Sequence, residues 1–139
     1  MCYNIYAAEK YVLNGYNVAL FDWRGFGESD YFEINPDYLF YCEFLFDYEA
    51  VINTINKLPE TKQDHIGLFD FSTGAYFSFA AAYQNPKVKC FIGRALMTNF
   101  DDFLHLLYSI YPEKEGIIVP NNYPEKLCPI NIADSLKNR

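Results

Sequence analysis

The chain has 139 residues, a length that suits one domain, and 51% of them are hydrophobic, which excludes an intrinsically disordered segment. Its formal charge of −7, with no Lys/Arg run, excludes the basic stripe that nucleic acid or an anionic membrane surface would need. No apolar run reaches transmembrane length and no signal-peptide pattern opens the chain, so a cytoplasmic location is expected. Cys2, Cys42, Cys90 and Cys128 are widely spaced without a CxxC pair, which predicts four reduced, mostly buried thiols and no zinc site.

In chain order, residues 1–14 read as a helix, with Met1, Ile5, Ala8 and Val12 on one face and Gly15 beyond its end. A chain that begins inside an amphipathic helix, with no capping residue, suggests a missing upstream segment. Residues 17–23 hold the uninterrupted apolar run Val18-Ala19-Leu20-Phe21, the pattern of a strand covered on both faces. A glycine-punctuated loop follows, Arg24-Gly25-Phe26-Gly27-Glu28-Ser29-Asp30, running on to Pro36. Residues 37–58 read as a longer helix with the stripe Leu45, Tyr48, Ile52 and Ile55, widened by Val51 and Leu58 and stopped by Pro59. Residues 65–71 are a second buried strand, and 73–84 a helix whose Ala80-Ala81-Ala82 run lets it lie close to a sheet. Residues 88–97 make a third strand and 101–111 a helix, with Phe103, Leu107 and Ile110 on one face. The proline-punctuated stretch 112–130 reads as an irregular, lid-like excursion, and 130–136 as a short last helix. The predicted class is α/β: one domain over 1–139, with a parallel sheet of about three strands flanked by helices.

Chemistry concentrates at Asp70-Phe71-Ser72-Thr73-Gly74. The apolar strand ends at a small polar residue, and a helix begins immediately. A serine there can be a plain helix N-cap. The segment also resembles the nucleophile elbow of α/β-hydrolases, Gly-x-Ser-x-Gly, with one departure: Asp70 stands at the first glycine position. Upstream, Gly15-Tyr16-Asn17-Val18 and Asp22-Trp23-Arg24-Gly25-Phe26-Gly27-Glu28-Ser29 look like the family's strand and loop "G-Y-x-V … D-x-R-G-x-G-x-S", in the expected order before the elbow. The chain is therefore identified as similar to the α/β-hydrolase superfamily, in its serine esterase, lipase and aminopeptidase-like branch. The resemblance covers the middle of that fold, its fourth, fifth and sixth strands, as if truncated at both ends. In the family a third strand lies between the fourth and fifth, so a gap or a forced pairing is expected between 17–23 and 65–71. A dinucleotide fingerprint at Gly25-Phe26-Gly27 fails, because Asp30 replaces the third glycine and no helix opens there. Arg24 and Glu28 are expected to make loop or surface contacts.

The resemblance implies hydrolysis of a small-molecule ester or amide through an acyl-Ser72 intermediate, with the Thr73 backbone N–H as one oxyanion donor and no cofactor or metal. A serine needs a base and an orienting acid. His105 is the single histidine after Ser72, with Asp101 and Asp102 the sole acids between, and that separation is too short for the family's order. His65 opens the strand about 20 Å from Ser72, at about 3.3 Å per residue, and is excluded. The second oxyanion donor would precede the first helix, and its loss costs about 3 kcal/mol in transition-state stabilisation. The chain by itself is expected to be inactive. The alternative is a catalytically inert remnant, or a binding and interaction module on a hydrolase scaffold. Asp70 is expected to crowd the turn, so that Asp70→Gly relieves strain.

Overall fold

The computed structural model describes residues 2–38, 40–116 and 123–136, with side chains for 5–38, 40–116 and 123–135. Helix α1 spans Cys2–Leu13. Residues 16–23 have no regular secondary structure and join no ladder, so the predicted first strand is not formed. A strand needs a neighbour's backbone to satisfy its own N–H and C=O groups, and among the described residues none pairs with this segment in a ladder. Nor is the run covered on both faces, since Leu20 is 56% exposed. Side chains hold its far end instead, with Trp23 stacked on Phe44 at 4.6 Å and Phe21 edge-on to Tyr48 at 5.2 Å.

Helix α2 spans Glu43–Ile55 and starts at Glu43, not at residue 37. The Asn35 side chain accepts the Asp37 N–H at 2.9 Å, which makes a local turn that competes with helix there. The predicted stripe is otherwise the one that packs, with Phe44, Leu45, Tyr48 and Ile52 buried. Strand β1, Ile66–Phe71, and strand β2, Val88–Arg94, run parallel, joined by helix α3, Thr73–Gln84. Among the described residues they form a two-stranded sheet, which makes the class α/β. Strand β2 stops at Arg94 because Ala95 turns to positive φ, 54°.

Register pairs Asp70 with Gly93, and that face lies under α3: Gly93 sits against Ala75, and Phe91 meets Phe79 at 5.1 Å. Ala80, Ala81 and Ala82 are all buried, so α3 approaches closely, and α2 packs on it. The opposite sheet face is thinly covered. Tyr11 of α1 touches Phe69 there, while Ile92 remains 47% exposed. Coverage on both faces holds for one face only.

The core lies between α2, α3 and the segments after β2. Phe40, Phe44, Tyr48, Tyr76 and Phe77 form an aromatic cluster, extended by Phe100 and Tyr123. The Tyr76 hydroxyl donates to Cys128 Sγ at 2.9 Å, which ties the chain's last part to α3. Helix α4, Phe100–Ile110, has no buried residue. Within 112–130, Pro112–Lys114 and Glu125–Leu127 are 3₁₀ turns, while 117–122 of the predicted excursion lie outside the described residues. Helix α5, Pro129–Ile132, continues into a 3₁₀ turn, Ala133–Leu136. Cys128 is buried, Cys42 half-buried and Cys90 exposed, so burial of the thiols is uneven; the Cys2 side chain lies outside the described residues.

Candidate functional site

Ser72 stands between the last residue of β1 and the first of α3, with φ 55° and ψ −121°. Residues other than glycine rarely occupy this region, and holding one there costs about 1–3 kcal/mol. Two further groups pin it. The Ser72 N–H donates to the Arg94 carbonyl at 2.8 Å, and its own carbonyl accepts the Tyr76 N–H at 3.1 Å. Ala95, next after Arg94, is also at positive φ, so two of the three such non-glycine residues among those described adjoin at the carboxyl end of the sheet.

The plain N-cap alternative requires an extended backbone and a side-chain oxygen bonded to the helix N–H groups. Ser72 has neither. Ser72 is half-exposed, and among the described residues its hydroxyl makes no cap hydrogen bond. The N–H groups of Thr73, Gly74 and Ala75 precede the first intrahelical bond, so the positive end of α3 opens beside that hydroxyl. A nucleophile and an oxyanion donor can therefore face one reacting carbon from Ser72 and Thr73.

Asp70 lies on the inner side of the turn and does not crowd it. Its backbone has no positive φ, and its Oδ1 lies 2.8 Å from the point a Gly74 Cβ would occupy. The absent side chain at 74 makes the room. Tyr48 of α2 donates its hydroxyl to Asp70 Oδ2 at 3.1 Å. Burial pushes the Asp70 carboxyl above the usual aspartate range, and hydrogen bonding by Tyr48 and Ser78 offsets part of that. Burial, with Asp70 beside it, pushes the Tyr48 phenol well above its ordinary value, so it remains a donor at neutral pH.

The other titratable candidates lie apart. His105 is exposed on α4. Asp102 belongs to the α4 cap, its N–H donating to Asn99 Oδ1 at 2.8 Å and its carboxylate accepting from Asn99 Nδ2 at 2.7 Å. Asp101 is exposed in the same first turn. His65 precedes β1, at the end opposite Ser72, with Nδ1 2.8 Å from the Gln63 carbonyl. Arg24 bonds Asp47 of α2 through Nε at 2.8 Å and Nη2 at 2.6 Å, while its own backbone N–H reaches the other oxygen at 3.1 Å. This partner for Arg24, and Tyr48 for Asp70, were not legible in the sequence. An open cleft of about 720 Å³ lies between the 21–32 segment and α2, lined by Phe21, Asp22, Arg24, Tyr31, Asp47 and Val51, and does not reach Ser72.

No family model matches the chain, and no solved structure matches it. The chain is similar to an uncharacterised 31.7 kDa protein encoded in the traX-finO intergenic region of Escherichia coli, 32% identical over 94 residues. The match covers 68% of this chain and 32% of that protein, so the chain spans about a third of the length of the relative it matches. Among the described residues no helix is long and apolar enough to cross a membrane.

Proposed function

We propose that the chain is the central part of an α/β-hydrolase-like scaffold, of the serine esterase, lipase and peptidase-like branch, with Ser72 as its nucleophile. The reaction supported by this reading is hydrolysis of a small ester or amide. Ser72 Oγ attacks the carbonyl carbon, its proton passes to a base, and the Thr73 N–H stabilises the oxyanion. The leaving group departs with a proton, and water releases the acyl group from Ser72. The observation that carries the reading is the backbone of Ser72, at φ 55° and ψ −121° between a parallel strand and a helix, with a hydroxyl that makes no cap hydrogen bond. No cofactor enters the reaction.

A second reading, a non-enzymatic binding or interaction module on the same scaffold, is favoured by a different observation. Among the described residues no histidine bonds Ser72, and His105 is exposed on α4. One experiment separates the two. The purified chain and Ser72→Ala are treated with an activated aryl ester or a fluorophosphonate, with and without added imidazole as a diffusible base. Ser72-dependent acylation that requires imidazole supports the nucleophile and the missing base. Labelling without imidazole makes His105 the residue to mutate next. No Ser72-dependent labelling under either condition leaves the alternative, an inert remnant or a binding module.

A further inference from the structure

We propose that Asp70 is a positioning residue for Ser72, acting with Tyr48 as a clip across the turn. The catalytic meaning of this assignment rests on Ser72 being the nucleophile; its structural content does not. Tyr48 belongs to α2, is 2% exposed, and sends one phenol proton between two acceptors. These are Asp70 Oδ2 at 3.1 Å and the Gly74 carbonyl at 3.3 Å. Asp70 lies two residues before Ser72 and Gly74 two residues after it. A single buried hydroxyl thus holds both arms of the bend.

Size matters as much as hydrogen bonding. A Cβ on Gly74 would meet Asp70 Oδ1 at 2.8 Å and its Cγ at 3.3 Å, so the strand–helix crossing has room for one side chain. Asp70 fills that slot and carries the acceptor that Tyr48 reaches. A strained residue persists where its surroundings over-determine it, and this clip acts together with the Arg94 and Tyr76 backbone bonds of Ser72. Where the resembled family places glycine at both positions, this chain uses the vacancy at one to seat an acid at the other.

The test compares Asp70→Ala, Asp70→Asn and Tyr48→Phe in the whole chain. The readouts are the positive-φ signature of Ser72 by NMR, a strong intraresidue amide-to-α-proton NOE, and the rate of imidazole-assisted Ser72 acylation. Asp70→Ala and Tyr48→Phe are expected to weaken the signature and slow acylation on the order of tenfold, the scale of small misplacements of a reacting atom. Asp70→Asn, which keeps the size and an acceptor for Tyr48, is expected to retain both. An unchanged signature in Asp70→Ala and Tyr48→Phe would overturn the proposal. Absence of acylation in the wild-type chain would defeat the hydrolase reading and leave the NMR comparison standing. If those variants do not fold, a double-mutant cycle decides. Gly74→Ala is expected to lower the melting temperature in the wild-type background and to be tolerated beside Asp70→Gly, whereas equal losses in both backgrounds would sink the clip.

Discussion

At Asp70 the folded chain holds a proton more tightly than the unfolded chain, since burial raises its pKa above the usual 3.8. The sign follows directly. This group's contribution to stability is complete below the unfolded value and is lost as pH rises through the folded one. Asp70→Asn removes that loss, so its melting temperature should exceed the wild type's at neutral pH and converge with it on acidification. Thermal melts across that range check both. Asp70→Gly, expected from the sequence to relieve strain, should instead cost about 1–3 kcal/mol in denaturant titrations, because the slot beside Gly74 is emptied and Tyr48 keeps only the longer of its two acceptors, the Gly74 carbonyl at 3.3 Å. At Gly27 two constraints coincide: φ is +57°, and a Cβ would fall 2.0 Å from Asp22 Oδ2. Gly27→Ala should destabilise by about 1–3 kcal/mol in the same titration, the range for strain at such a backbone.

Among the elements, α2 and α3 bury their stripes into each other, while α4 has no fully buried residue and meets the core only through the half-buried Phe100 and Phe103. Phe77, fully buried, meets Trp23, Phe40, Phe44, Tyr76 and Tyr123. Phe77→Ala should therefore cost about 3–5 kcal/mol by equilibrium unfolding. Ile110→Ala, at a residue 56% exposed on α4, should change stability by about 0.5 kcal/mol or less. A comparable loss at both sites would mean that α4 packs against something beyond the described residues.

For the whole molecule, the open sheet face and the irregular 16–23 segment expose Ile92 and Leu20, against which the charge of −7 supplies repulsion between copies. Salt screens that repulsion. Light scattering should show self-association rising with ionic strength, and the Leu20→Glu, Ile92→Glu double variant should suppress it with little change in melting temperature. Association that is indifferent to both salt and the double variant would place the contact elsewhere.

Periodicity and local chemistry were enough to read α3 to its end residues, the stripe of α2 and the parallel β1–α3–β2 unit. Each of these is decided within a few turns of chain, by apolar spacing and by the abrupt change at Ser72. The apolar run 17–23 shows where such reasoning stops. Hydrophobicity qualified it as a strand, but a strand exists only when a neighbour takes its hydrogen bonds, and no property of those residues supplies one. Ser72 was legible as the apex, but its φ and ψ were not, nor that its hydroxyl would find no partner among the described residues. The room for Asp70 depends on Gly74 across the bend, and its acceptor role on Tyr48, 22 residues earlier in the chain. Short-range patterns determined the elements and located the serine. Tertiary contact decided what surrounds it, because burial, partner atoms and pKa shifts are properties of residues brought together from distant positions.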